Sequence, residues 1–351
     1  MPEALDYRSD DRSILLPTYR RWLVEPALPL LPASLSPNAI THLGHLANLL
    51  GVGLLVTLWP ERGWPFAAAA LLLQLYVWCD NADGAHARRT GQCSPFGELL
   101  DHGLDILNVL YIAYLTALAL GAPPLWWVAV VLLITGAASV TYWEQCQTGV
   151  FRLGMMNQVE SALVLSATLL ISAVWGTSVW EHELALGISF RQAMLLWCAA
   201  TILFGVMRSM ARVARVAGLG AALPVVGLIV FGGGVCAAAA TGAISTVAAV
   251  MVATAVNIFF PARMLLWRLR SEPPRLELSI AAFALMLWAV AAWARAGLPL
   301  DVPGARTHLD VASVILAALA CAMFGGAALF DVRASRMLLL PRAPLVVEPP
   351  R

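Results

Sequence analysis

Lysine is absent from the 351 residues, so arginine alone supplies the 22 basic side chains, set against 21 acidic ones. A formal net charge of +1 offers no basic face, and nucleic acid is set aside as a partner. Charge of either sign is scarce, at 12 % of the chain, which excludes an ordinary hydrated surface over most of the molecule. The six cysteines, Cys79, Cys93, Cys146, Cys198, Cys236 and Cys321, have no paired spacing. A disulfide framework is therefore excluded, and no Cys/His pattern supports zinc. The chain also lacks a basic start followed by an apolar run and a small-residue cleavage site, so no signal peptide is read and the first span is expected to insert uncleaved.

What the chain has is apolar length. Hydrophobic residues make up 60 % of it, and a helix needs ~20 residues to cross a hydrocarbon core of ~30 Å. Ten stretches meet that length: 38–59, 65–88, 95–120, 123–147, 157–176, 190–215, 220–241, 243–264, 278–297 and 310–331. The expected fold is an all-α polytopic membrane protein of about ten transmembrane helices, with both termini cytoplasmic. Arginine placement supports that count. With cytoplasmic termini only Arg62, Arg191, Arg295 and Arg306 of the 22 fall outside, in keeping with positive residues accumulating inside. Residues 14–35, apolar with Arg20, Arg21 and several prolines, suit an interfacial amphipathic segment. The organisation read from this is an N-terminal cytoplasmic and interfacial segment over 1–37, a core of six spans over 38–216, four further spans over 217–340, and a Pro-rich disordered tail over 341–351.

Four aspartates break the apolar pattern at fixed intervals: Asp80, Asp83, Gly84, Ala87, Arg88, Gly97, Asp101 and Asp105. Helical positions three or four apart share a face. Asp80, Asp83 and Ala87 thus make one stripe, and Gly97, Asp101 and Asp105 a second on the next helix. Each carboxylate at membrane depth costs a few kcal/mol on insertion scales, so four within a short stretch imply compensation by cations or water. All-oxygen ligands select Mg²⁺ or Mn²⁺. The glycines and alanine fit a place where a bulky ligand or a second helix approaches the backbone closely. Solvated loop residues or helix caps would explain neither the spacing nor the small residues.

These eight positions match, without a departure, the signature of the CDP-alcohol phosphotransferase family of membrane enzymes. The resemblance implies six core helices holding two metal ions near the cytoplasmic face, and transfer of a phosphoalcohol from a CDP carrier to a hydroxyl acceptor with release of CMP. It implies Asp80, Asp83 and Asp101 as metal ligands and Asp105 as general base that also touches metal. Asn38, Asp80, Gly84, Ala87, Arg88 and Gly97 then fall on the nucleotide and diphosphate side, with Arg88 binding phosphate. Two further blocks resemble the choline and ethanolamine branch: Tyr7-Arg8-Ser9-Asp10-Asp11-Arg12-Ser13-Ile14-Leu15 with Pro37-Asn38-Ala39-Ile40-Thr41, and Trp143 to Gly154. The CDP-diacylglycerol branch typically carries an arginine in span one, where this chain has His42-Leu43-Gly44-His45. The expected reaction is transfer of choline or ethanolamine phosphate to diacylglycerol in phospholipid biosynthesis. The alternatives are a CDP-diacylglycerol-dependent phosphatidyltransferase acting on a soluble alcohol and, more distantly, a transporter. A homodimer is a further implication of the resemblance.

Around the signature, His86 and His102 are candidates to assist Asp105 or orient an aspartate, against helix-end histidines at an aqueous interface. Glu144 and Trp143 are expected at the headgroup side because they belong to a matched block, with Glu160 a weaker candidate. Trp78, Tyr142 and Trp143 are candidates for cation–π contact with a quaternary ammonium. His42 and His45 read as buried, hydrogen-bonded polar residues or a metal pair, and Asn257 as a packing or chamber residue. The Ala- and Arg-rich, lysine-free composition is that of a GC-rich bacterial genome. The expected location is accordingly a bacterial cytoplasmic membrane, or endoplasmic reticulum or Golgi in a eukaryote, with the site facing the cytoplasm.

Overall fold

Prolines open five of the long described helices and left-handed residues close several, so much of the punctuation that sets their bounds is the chain's own. The computed structural model describes residues 8–154 and 157–269. The described residues open with a strand, β1 (Arg8–Asp11), and a single turn of helix, α1 (Leu16–Tyr19). Among the described residues, seven helices follow the N-terminal segment with the length and apolarity to cross a membrane. They are α2 (Pro37–Leu58), then α4 (Pro95–Ala119), α5 (Pro124–Thr148), α6 (Gln158–Trp175), α7 (Phe190–Ala217), α8 (Leu223–Ala240) and α9 (Thr246–Leu269). This is the make-up of a polytopic membrane protein. Between α2 and α4 stands α3 (Trp64–Thr90), long enough to span but less apolar, because its second half carries Asp80, Asn81, Asp83, His86, Arg88 and Arg89. The expected spans at 278–297 and 310–331, and the tail from 341, lie outside the described residues.

Two short ribbons depart from the all-helical expectation. Strand β1 pairs in parallel with β2 (Val150–Leu153), with Arg8 opposite Val150 and Asp11 opposite Leu153. At the other end of the bundle β3 (Glu183–Ala185) and β4 (Ile188–Ser189) form a hairpin whose turn residues Leu186 and Gly187 both have positive φ, as two-residue hairpin turns require. In the segment expected to be amphipathic, Leu16, Tyr19 and Val24 are buried, whereas Ile14, Trp22, Leu23 and Leu30 are exposed.

Without water to drive apolar faces together inside a membrane, close backbone approach and side-chain hydrogen bonds hold such helices. Gly44 brings α2 onto α3: a Cβ there would lie 2.7 Å from the Cys79 Cβ. Asn257 in α9 accepts a bond from Ser139 Oγ of α5 at 3.3 Å, so it packs helices together. Bonds from Gly63 N to Ala173 O and from Thr177 N to Glu61 O join the loops at one end of the bundle. The N-terminal segment, the α3–α4 turn and the β1–β2 ribbon lie at the other.

Candidate active site

The α3–α4 turn puts the two aspartate stripes side by side. Gly91, with φ +70°, closes α3 in the left-handed region, and Ser94 Oγ accepts from Gly97 N at 3.0 Å to start α4 just three residues later. Two helices reversed so tightly must lie alongside. As a result Asp80 from α3 and Asp101 and Asp105 from α4 bring carboxylate oxygens within 4.8 Å of one another. They line a cavity of about 1030 Å³ together with Asp83, Asn38, Gly84, Ala87, Arg88, Gly97 and His102.

Asp83 is held differently from its neighbours. Its Oδ2 accepts from Thr41 Oγ1 at 2.6 Å, and its other oxygen accepts from Gly84 N. At Gly97 an added Cβ would lie 3.3 Å from Asn38 Oδ1, which explains the small residue where α4 passes α2. A Cβ at Gly84 would meet only the Arg88 guanidinium, at 3.4 Å, so this glycine keeps cavity space beside a cation. His102 Nδ1 stands 4.0 Å from Asp105 Oδ2.

Three accessory candidates are placed elsewhere. His86 is fully buried, its Nε2 2.9 Å from Leu35 O and its Nδ1 accepting from Arg89 Nη2, so it anchors the N-terminal segment to α3. Glu144 is buried in an ion pair with Arg212, receives Ser209 Oγ at 2.6 Å and faces Arg152 at 3.3 Å. Trp143 is buried and donates to Ala221 O at 3.0 Å. Adjacency in sequence to a matched block does not fix which side of α5 a residue takes. Trp78 likewise donates to Leu23 O rather than lining the cavity, and His42 and His45 join no metal-shaped group among the described residues. Glu160 fastens the N-terminal segment: its Oε1 accepts from Ser13 Oγ, Ile14 N and Leu15 N.

Several lining residues escaped the sequence reading. Tyr76 Oη lies 3.3 Å from Asp105 Oδ1 and receives Gln158 Nε2 at 3.0 Å. Arg20 Nε donates to Asn81 Oδ1 at 3.2 Å. Tyr76 was within reach, since it stands four residues before Asp80 on the same stripe. Thr41 also sits in a block already singled out.

Carboxylates from two adjoining helices, gathered beside a cavity at one end of a membrane-sized bundle, define an acidic centre. Its hard, all-oxygen donor set fits divalent cations of the Mg²⁺ or Mn²⁺ kind. Residues 34–207 match the CDP-alcohol phosphatidyltransferase family, and the chain carries a domain of that family. Among curated proteins it is similar to cholinephosphotransferase 1 of Gallus gallus, 32 % identical over 209 residues that make up 56 % of this chain and 61 % of the relative. For the Xenopus laevis protein of that name the figures are 30 % identity, 52 % and 47 %, and for the human one 30 %, 48 % and 42 %. The chain thus spans about half the length of the curated relatives it matches.

Proposed function

We propose that the protein transfers the phosphoalcohol of a CDP-alcohol, choline or ethanolamine phosphate, to the hydroxyl of a diacylglycerol-type lipid and releases CMP. The observation that carries this reading is the convergence of Asp80, Asp101 and Asp105 inside a cavity large enough for a nucleotide diphosphate. The family match and the names of the relatives support it.

Asp80, Asp101 and Asp105, with Asp83 as the fourth carboxylate, would hold divalent cations, whose charge would neutralise the diphosphate and the departing CMP phosphate. Arg88 adds a fixed cation toward phosphate, and Gly84, Ala87 and Gly97 leave the nucleotide room beside Asn38. Asp105 takes the acceptor hydroxyl's proton as the new oxygen–phosphorus bond forms and the bond to the CMP phosphate breaks. Tyr76, itself held by Gln158, holds Asp105 in place, and His102 faces it from one turn earlier on α4. The arginines of the site's end, Arg20, Arg21, Arg88, Arg89, Arg152 and Arg212, support a cytosolic orientation. Both termini are cytoplasmic in this reading, the donor arrives from the cytosol and the acceptor from the bilayer. A homodimer belongs to it on the family resemblance alone.

The test gives purified protein Mg²⁺ and diacylglycerol with CDP-choline or CDP-ethanolamine and measures CMP and lipid product. CMP from at least one donor, lost on chelation, is expected. CMP formed only from CDP-diacylglycerol and a soluble alcohol would transfer the protein to the phosphatidyltransferase branch.

A further inference from the structure

The β1–β2 ribbon has two faces, as alternation along a strand dictates. Ser9 and Asp11 from β1 and Phe151 and Leu153 from β2 line the cavity. The intervening Asp10 and Arg152 are not among the lining residues. They face each other at 4.0 Å, and Arg152 reaches Glu144 at 3.3 Å. One face is therefore tied into an ion-pair network that fixes the ribbon, which leaves the other face rigidly presented to the cavity.

The presented face meets aromatic rings. Phe151 and Tyr142 have centroids 5.6 Å apart with planes inclined at 56°, and Phe151 and His102 are 6.0 Å apart at 45°. Tyr142 Oη donates to His102 O at 3.1 Å, which ties this corner to the turn of α4 that carries Asp105. Asp11 adds a carboxylate whose Oδ1 already accepts from Ser13 N at 2.9 Å and Asn157 Nδ2 at 2.6 Å. The nucleotide-side residues Asn38, Gly84, Ala87, Arg88 and Gly97 stand on the walls made by α2, α3 and the start of α4. The aromatic corner stands on the wall made by α5 and β2.

Resting on the CDP-alcohol reading above, we propose that Phe151, Tyr142 and Asp11 form the subsite for the donor's cationic headgroup and that its chemistry favours a quaternary ammonium. A trimethylammonium has no N–H to donate, so hydrogen-bond acceptors cannot select it, whereas ring faces and a fixed carboxylate attract it through its spread charge. A primary ammonium seeks acceptors for three N–H groups, and the ring faces of Phe151 and Tyr142 offer none. The donor thus lies with its diphosphate at the aspartates, its nucleoside toward α2 and α3, and its headgroup against the ribbon.

The experiment compares wild type, Phe151→Leu and Asp11→Asn for kcat/KM with CDP-choline and CDP-ethanolamine, and for inhibition by CDP, which has no headgroup. Phe151→Leu keeps an apolar strand residue but removes the ring. It is expected to lower kcat/KM for CDP-choline about 5- to 30-fold, with CDP-ethanolamine falling much less and CDP inhibition unchanged. Asp11→Asn keeps the acceptor oxygen but removes the charge. Both donors should weaken relative to CDP, by about 3- to 10-fold. Equal losses for the two donors in Phe151→Leu, or altered CDP inhibition in both variants, would overturn the headgroup subsite while wild-type turnover leaves the CDP-alcohol reading intact. Failure of wild type with every CDP-alcohol would overturn that reading and the subsite with it.

Discussion

The Asp83 carboxylate accepts a short hydrogen bond, 2.6 Å, from Thr41 Oγ1 on α2. An amide at that position keeps a partner for Thr41 but loses the negative charge. Asp83→Asn is therefore expected to fold like wild type by gel filtration and lose transfer by about two orders of magnitude or more, as removal of a charge-stabilising group in an active site does. Wild-type-like turnover in that variant would remove Asp83 from the metal site. Tyr76 acts at one remove from the reacting atoms, by holding Asp105 at 3.3 Å. Tyr76→Phe keeps the ring in its buried slot and should cut kcat on the order of tenfold, with KM for the donor nearly unchanged. A change confined to KM would show that Tyr76 contacts the donor instead. Residues of this kind were half legible in the sequence. Spacing alone found the aspartates, because carboxylates at membrane depth need a common partner. The ion pair of Glu144 was not legible, because its partner Arg212 stands 68 residues away and no local pattern announces it.

At the scale of elements, proline and glycine marked the helix ends well enough that each described helix begins and ends within a few residues of its expected bounds. The β1–β2 ribbon was not legible. Arg8-Ser9-Asp10-Asp11 is short, polar and without alternation, and its strand state comes entirely from pairing with a distant segment. Close packing was visible only as a residue type. Gly44 becomes informative once the Cys79 Cβ is found 2.7 Å from where its own Cβ would lie. Gly44→Val is expected to destabilise the α2–α3 pair by about 1–3 kcal/mol, read as a lowered unfolding temperature in detergent. Gly53→Ala on the same helix has nothing within 4 Å and should be neutral or slightly stabilising. Equal effects of the two substitutions would mean that helix propensity, and not contact, governs α2.

Across the whole molecule the two ends of the bundle differ in chemistry. The site's end collects Arg20, Arg21, Arg88, Arg89, Arg152 and Arg212, whereas the opposite loops hold Glu61, Arg62, Glu181 and Glu183. Cys93, exposed in the α3–α4 turn and lining the cavity, reports on that asymmetry. With the other cysteines replaced, a membrane-impermeant maleimide should label Cys93 in inside-out vesicles and spare it in right-side-out ones. The reverse pattern would put the cavity on the other face. CDP should slow the labelling. The ribbon also sets a clock for biogenesis. Strand β1 leaves the ribosome well before its partner β2, which follows about 140 residues later; at roughly 5–20 residues per second that is a wait of roughly 7–28 s. Until then the nascent chain carries its four aspartates in a chamber that lacks its front wall. Closure of the cavity by the ribbon is thereby postponed until α5 and β2 have both been made.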